Sequence, residues 1–158
     1  MSDFSHIDQK GLPLMVDVGD KKISRRSATA RSIVVLPEEV IKKMEGGEIR
    51  VKKGAVFQTA IIAGIMAAKK TGELIPLCHP LGLDNCAIQI NFNKQNELII
   101  ECTTDIEART GVEMEALVGA SIAALTVYDM CKSFSHDIVI KETRLMKKTG
   151  GKKDFERK

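Results

Sequence analysis

The sequence predicts an α+β fold in which helices cover one face of an antiparallel sheet. Residues 111–134 form a long, alanine-rich apolar run that is typical of a buried helix. Residues 86–103 alternate around the polar turn NKQN, which indicates a β-hairpin. The predicted order is strand, short helix, long helix, hairpin, long helix and strand, and a split β-α-β, ferredoxin-like arrangement matches it best. We expect one domain over residues 1–158, because we find no repeat and no domain boundary.

The first third of the chain predicts a flexible arm, two strands and a short helix. The arm covers residues 1–13, and the alternation in Leu14–Val18 predicts a short strand. The β-branched run in Ser32–Leu36 predicts the next strand, which continues the basic stretch 21–31. Proline followed by two glutamates opens the predicted helix Pro37–Met44, and a Gly-Gly pair ends it.

The middle of the chain predicts a second apolar helix over Ala55–Lys70, followed by a loop and the hairpin. Gly64 and many alanines in this helix indicate close packing against a neighbouring element. Two prolines four residues apart confine 74–81 to a stiff loop. The hairpin strands are Cys86–Phe92 and Glu97–Thr103.

The last third predicts the long helix Gly111–Phe134, a strand over His136–Arg144 and a flexible basic tail over 147–158. The two long helices are small-residue-rich and apolar. They leave apolar surface to bury, which favours self-association.

Composition excludes some function classes. Hydrophobic residues make up 44% and charged residues 28% of the chain, as in globular rather than disordered proteins. A ferredoxin-like nucleic-acid-binding module is an alternative, because the chain has a basic edge. Such modules stack bases on exposed aromatic residues, however, and the hairpin offers only Phe92. The net charge of +3 is also too small to indicate nucleic-acid binding by itself.

The cysteines indicate a reducing compartment. Cys78, Cys86, Cys102 and Cys131 are scattered through apolar segments without a CxxC motif, so we expect reduced thiols in a cytoplasmic protein. The N-terminus lacks an apolar signal core and no run reaches membrane-spanning length, so neither secretion nor membrane insertion is expected. A metal site at Cys78, His79 and Cys86 has no recognised zinc spacing, and we expect none.

A few residues are candidates for chemistry. His79 lies in the stiff loop, where a fixed backbone would aim its imidazole at a ligand; it could also be a loop histidine bonded to the backbone. Asp129 and Lys132 share a helical face, and Glu113 and Glu115 open the same helix. On spacing alone these four can also be ordinary helix-end charges.

Basic residues near glycines could hold phosphate. Lys53 precedes Gly54 at a helix start, where an anion is favoured. The basic run 21–31 and the tail lysines could surround phosphates or could be solvated charge. Neither a P-loop nor a dinucleotide motif is present. The residues supply acid–base groups together with cations suited to phosphate.

Three segments carry a specific resemblance: LIPLCHPL (74–81), TGVEMEAL (110–117) and LTVYDMCK (125–132). They resemble the signature blocks of the cyclic pyranopterin monophosphate synthase family of molybdenum cofactor biosynthesis. The resemblance extends in order over nearly the whole chain, in SHIDQKG (5–11), MVDVGDK (15–21), residues 52–77 and KKTGGKKDF (147–155).

The resemblance implies a ferredoxin-like subunit in a homohexamer, a trimer of dimers, with active sites between subunits. The implied reaction rearranges 3′,8-cyclo-7,8-dihydro-GTP into cyclic pyranopterin monophosphate with loss of pyrophosphate. It implies no redox cofactor and leaves open whether Mg²⁺ accompanies the triphosphate. An inactive relative with the same fold is the alternative within the family.

The family motifs also assign residues. The implied catalytic residues are Asp129, Lys132 and Lys53, and we hypothesise that the lysines form a general acid/base pair oriented by Asp129. A lysine could act as the base if its pKa were lowered. Arg26 and Lys148 would hold phosphate, although neighbouring basic residues leave that choice open. The implied substrate-binding residues are Leu77, Cys78, His79, Glu113, Met114, Glu115, Arg26 and Lys148.

Overall fold

The computed structural model describes residues 7, 8 and 10–157. Its helices and strands follow the predicted alternation, with several short elements added. They are β1 Ser24–Val35, α1 Glu38–Ile41, β2 Met44–Glu45, β3 Glu48–Val51, β4 Gly54–Ala55, α2 Val56–Ala68, α3 Thr71–Leu74, β5 Asn85–Phe92, β6 Leu98–Ala108, α4 Glu113–Cys131, β7 Val139–Thr149 and β8 Phe155–Glu156.

The main sheet has five strands in the order β5-β6-β1-β7-β8, and every neighbouring pair is antiparallel. Strands β2, β3 and β4 form a separate small sheet. Alternate residues of β6 from Leu98 to Ile106 are buried, because α4 packs on this side of the sheet. The predicted α+β fold is therefore confirmed, and the strand order is compatible with the ferredoxin-like arrangement.

Helices α2 and α4 pack closely where two glycines meet. A Cβ atom on Gly64 of α2 would lie 2.7 Å from the carbonyl oxygen of Gly119 in α4, so only a residue without a side chain fits there. Ala60 of α2 and Ala120 and Ala123 of α4 are fully buried. The close packing predicted from the small residues is confirmed.

Three predicted elements differ from the structure. The strand predicted at Leu14–Val18 is wrong: this segment is irregular and pairs with no strand, and only Val16 and Val18 in it are half-buried. The helix predicted over Pro37–Met44 is only one turn long, and Met44 pairs with Ile49 in β2 and β3 instead. The last strand begins at Val139 and continues to Thr149, because pairing with β1 sets its limits.

The two chain ends were predicted to be flexible. Residues 1–6 and 9 of the N-terminal arm lie outside the described residues, as does residue 158. The described part of the basic tail contains the end of β7 and all of β8.

Helix α4 is long and apolar enough to span a bilayer, with a mean hydropathy of 1.3 over its most apolar window. Half of that window is buried inside the protein, against the sheet and α2. Burial of this kind is typical of a core helix.

Candidate active site

Two groups of charged residues lie at opposite ends of α4. The first, which we call the lysine cluster, consists of Lys53, Asp129 and Lys132. Asp129 Oδ2 lies 2.8 Å from Nζ of Lys53, and Oδ1 lies 2.7 Å from Nζ of Lys132. The cluster borders a pocket of about 620 Å³ whose walls include Met130, Phe134 and His136. The predicted association of Asp129 with Lys132 is confirmed, and Lys53 joins them from another element.

The position of Lys53 is set by a tight turn. Lys52 and Lys53 connect β3 to β4, and Gly54 follows with φ of +122°, a conformation that suits glycine. Glu48 of β3 holds this hairpin to α2: its carboxylate accepts hydrogen bonds from the amides of Phe57 and Gln58 at 2.8 and 3.2 Å. Glu48 thereby supplies acceptors for the free N–H groups in the first turn of α2. The same hydrogen bonds hold the hairpin beside the end of α4.

The ion pairs determine the protonation of the cluster. Hydrogen bonds from Lys132 and Lys53 lower the pKa of Asp129 to about 2, so its carboxylate is ionised at neutral pH. In return, Asp129 raises the pKa of Lys132. Lys132 therefore does not meet the condition stated for a lysine base, a lowered pKa, because the Asp129 carboxylate stabilises its charged form.

The second group surrounds the start of α4, and we call it the carboxylate cleft. Two adjoining cavities of about 660 and 470 Å³ share Lys21, Thr110, Gly111, Glu113 and Lys152 in their walls. The remaining predicted residues also line the cleft: Leu77, Cys78, His79, Met114, Glu115, Arg26 and Lys148. The structure thus brings together all eight predicted substrate-binding residues.

The alternation of side chains along β1 and β7 decides which basic residues face the carboxylate cleft. Arg26 and Lys148 line it, whereas their neighbours Arg25 and Lys147 do not. Lys148 Nζ lies 2.9 Å from Glu113 Oε1, while Lys147 contacts Glu156 on β8. Because side chains alternate along a strand, only one residue of each basic pair can face the cleft.

His79 is fixed by the backbone of the segment that precedes β1. Its Nε2 lies 2.7 Å from the carbonyl oxygen of Val16. A carbonyl can only accept a hydrogen bond, so Nε2 carries the proton and Nδ1 is the ring atom left for a ligand. The segment that precedes β1 contributes Val16, Val18 and Lys21 to the cleft wall, and this bond attaches it there.

The carboxylates of the cleft have different environments. Glu115 is only 3% exposed, and burial, reinforced by the charge of Glu113, raises its pKa. Glu113 is partly exposed and paired with Lys148. Burial and the nearby Glu115 also raise the pKa of Cys78, which disfavours its thiolate.

The lysine cluster and the carboxylate cleft are far apart within one chain. Glu113 and Asp129 lie in the first and last turns of α4. At about 1.5 Å per residue, sixteen residues separate them by about 24 Å along the helix axis. One small substrate cannot contact both groups of the same chain.

Several cleft residues were not among the predicted site residues. Val16, Lys21, Arg109, Thr110 and Lys152 line the cavities as well. The basic runs that contain Lys21 and Lys152 were the available sequence signal. Val16 acts through its carbonyl group, for which no sequence signal exists.

The basic residues of the carboxylate cleft, the ionised Asp129 and its two lysines together indicate the class of site. Such a site is suited to an anionic small molecule and to proton transfer. Among the described residues, no group of three or more His, Cys, Asp or Glu side chains could hold a metal ion.

The chain belongs to the MoaC family, whose model matches residues 15–151. It is 53% identical over 151 residues to the cyclic pyranopterin monophosphate synthase of Xanthomonas campestris pv. campestris (strain B100), covering 96% of this chain and 92% of the relative. It is 49% identical over 155 residues to the synthase of the same name from Lysinibacillus sphaericus (strain C3-41), with 96% of each covered. A Synechocystis protein, "Molybdenum cofactor biosynthesis bifunctional protein", is 50% identical, and the match covers 45% of its length.

Proposed function

We propose that this protein is a lyase that converts 3′,8-cyclo-7,8-dihydro-GTP into cyclic pyranopterin monophosphate and pyrophosphate, a step of molybdenum cofactor biosynthesis. Membership of the MoaC family and the names of the relatives support this assignment. The observation that carries it is the residue set: every residue that the family motifs assign lies in the lysine cluster or the carboxylate cleft.

The carboxylate cleft has the charge distribution that this substrate requires. Arg26, Lys148 and the additional lysines of the cleft would neutralise the triphosphate and the departing pyrophosphate. Glu113 and Glu115 offer acceptors for the amino edge of the guanine-derived ring. His79 would place Nδ1 against a ribose or phosphate oxygen.

The lysine cluster would perform the proton transfers of ring opening and ring closure. Lys132, whose pKa is raised by Asp129, is suited to be the proton donor. Lys53, the other lysine held by the same carboxylate, completes the acid/base pair. Asp129 orients both amines, because each of its oxygens binds one of them.

We further propose that each active site combines groups from two subunits of a homohexamer, arranged as a trimer of dimers of ferredoxin-like chains. The distance of about 24 Å between Glu113 and Asp129 along α4 supports a shared site, since one chain cannot present both groups to one substrate. Exposed apolar residues support association: Ile62 and Met66 lie one turn apart on α2, and Leu125 lies on α4, each more than half exposed.

We propose a cytoplasmic location and a reaction without a redox cofactor. All four cysteines are free thiols, which is typical of a reducing compartment. The rearrangement itself needs proton transfers and loss of pyrophosphate. Activity after treatment with a chelator would decide whether Mg²⁺ must accompany the triphosphate.

The assay that tests the function is incubation of purified protein with 3′,8-cyclo-7,8-dihydro-GTP, followed by oxidation of the product to a fluorescent pterin. Lys132→Ala and Asp129→Ala are tested in parallel, with the oligomeric state of each checked by light scattering. We expect product from the parent protein and its loss in assembled variants. An assembled parent protein that forms no product would identify the chain as an inactive relative.

Mixing two impaired variants, assayed at a substrate concentration well below KM, tests the shared site. Lys53→Ala removes part of the lysine cluster, and Lys148→Ala removes part of the carboxylate cleft. If each site draws on two chains, co-refolded mixtures contain some sites with both groups intact, and activity returns. If each chain supplied a whole site, mixing would restore nothing, which would refute the shared site and leave the reaction itself established by the parent.

A further inference from the structure

Two cysteines that take no part in the proposed reaction lie in contact across the hairpin. Cys86 Sγ on β5 and Cys102 Sγ on β6 are 3.8 Å apart. Cys86 pairs with Thr104 and Cys102 with Ile88, so the two cysteines are diagonal neighbours on the same face of the sheet. Cys86 is partly exposed and Cys102 is fully buried.

We infer that Cys86 and Cys102 form a redox-reactive dithiol that a peroxide oxidises to a disulfide between β5 and β6. Cys86 is the attacking group because it is the partly exposed member of the pair. Its thiolate attacks hydrogen peroxide and, with one proton taken up, gives a sulfenic acid and water. The Cys102 thiol then attacks that sulfur, forming the S–S bond and releasing a second water. Two thiols are oxidised and one peroxide is reduced, so the step is balanced.

The surroundings favour Cys86 over the other thiols. A hydrogen bond from Cys102 and the charge of Lys69 lower the pKa of Cys86, although burial opposes them. Burial raises the pKa of Cys78, and of Cys131 to about 11. The thiolate is the reactive form, so oxidation begins at Cys86.

Disulfide formation would also change the support beneath α4. A Cβ atom on Gly119 would lie 2.6 Å from Cys102 Sγ, so α4 rests directly on this sulfur. The S–S bond needs a separation of about 2.05 Å, which draws the Cys102 sulfur toward β5 and away from α4. Thr104, two residues further along β6, donates a hydrogen bond to the Val112 carbonyl and ties the strand to the start of the same helix.

Peptide mapping of the full chain tests the inference. Reduced protein is treated with equimolar hydrogen peroxide at neutral pH, blocked with N-ethylmaleimide and digested with trypsin without reduction. Cys102 lies in peptide 95–109 and Cys131 in peptide 110–132, whereas Cys78 and Cys86 share peptide 71–94. We expect peptide 71–94 to be linked to peptide 95–109, with the loss of two hydrogen atoms, and dithiothreitol to reverse the link.

Two variants assign the link to one cysteine. The link should persist in Cys78→Ser and disappear in Cys86→Ser. Alkylation of Cys86 in the parent protein before peroxide treatment provides the same test without a substitution. A link that survives in Cys86→Ser, a link between two chains, or sulfinic acid accumulating at Cys86 with no link would each overturn the inference.

Discussion

Lys53 and Asp129 are 76 positions apart in the chain, yet Nζ of Lys53 lies 2.8 Å from Oδ2 of Asp129. The β3–β4 turn and the last turn of α4 meet there, and Lys132 occupies the second carboxylate oxygen. An anion is disfavoured at the C-terminal end of a helix, so the two lysines compensate for the position of Asp129. The positions of both amines therefore depend on the Asp129 carboxylate.

Asp129→Asn should reduce kcat by about 100-fold or more, because it loosens both amines that the proposed mechanism uses for proton transfer. The pKa of Asp129 is about 2, so in the parent the contribution of the ion pairs to stability is present at neutral pH and is lost only as pH falls through that value. Activity of the parent should accordingly show no acid limb from Asp129 above mildly acidic pH. Steady-state rates across pH measure both effects.

Glu97→Gln is the matched control for this change. Glu97 forms a 2.7 Å ion pair with Lys141 on the main sheet and does not border the lysine cluster. It should leave kcat unchanged. An equal loss of activity in both variants would show that a general loss of charge, and not the position of Asp129, is responsible.

Lys148→Ala should raise KM by about 10- to 100-fold, the effect of losing a hydrogen bond to a charged group. Lys147→Ala should change KM little, because Lys147 faces Glu156 and not the cleft. Initial rates over a range of substrate concentrations separate KM from kcat. Equal increases in KM for the two variants would contradict the assignment of the phosphate-side lysine.

His79→Asn and His79→Gln separate the two ring nitrogens. Asparagine places its amide near the position of Nδ1, and glutamine places a donor near that of Nε2. We expect His79→Asn to release the Val16 carbonyl and speed tryptic cleavage after Lys21 and Lys22, while His79→Gln retains the parent rate of cleavage.

The same variants have the opposite order in catalysis. His79→Gln should lose about tenfold in kcat/KM if Nδ1 contacts the substrate. Unchanged cleavage in both variants would show that His79 does not hold the segment before β1.

Gly64→Ala should lower the free energy of unfolding by about 1–3 kcal/mol, because the new methyl group has no room at the crossing of α2 and α4. Gly82→Ala is the control, since nothing lies within 4 Å of the added Cβ atom; its effect should be within about 0.5 kcal/mol. Urea unfolding monitored by circular dichroism gives both values. Equal stabilities would mean that the two helices can separate without cost.

Glu115→Gln should make stability less dependent on pH in the mildly acidic range. Burial raises the pKa of Glu115, so the folded protein binds this proton more tightly than the unfolded chain. The stability of the parent should therefore fall as pH rises from the unfolded value through the raised one. Melting temperatures over this range, compared with those of exposed Glu39→Gln, measure the difference; parallel curves for all three proteins would contradict it.

The elements that could be predicted from sequence are those with strong local signals. The long helix, the hairpin and the proline loop were predicted because small apolar residues, alternation and Pro76 and Pro80 act locally. The position of β7 depends on pairing with β1, which periodicity does not report. Leu14–Val18 alternates like a strand, but it pairs with no strand of the described sheets.

The candidate site was predicted through family motifs more than through spacing. Spacing alone associates Asp129 with Lys132, but Lys53 reaches them only by tertiary folding. Alternation along β1 and β7 then selects Arg26 over Arg25 and Lys148 over Lys147, once the facing side of the sheet is known. The hydrogen bond between His79 and Val16 uses a backbone carbonyl, so the type of residue at position 16 does not predict it.

The length of α4 has a consequence for how the sequence can change. One residue inserted in the middle of the helix would displace its two ends by about 1.5 Å and rotate them by about 100° relative to each other. The carboxylates at the start and the aspartate at the end would then point in unrelated directions. Insertions and deletions within α4 would therefore change both the distance and the relative orientation of the two groups of charged residues, which substitutions on its exposed face would leave intact.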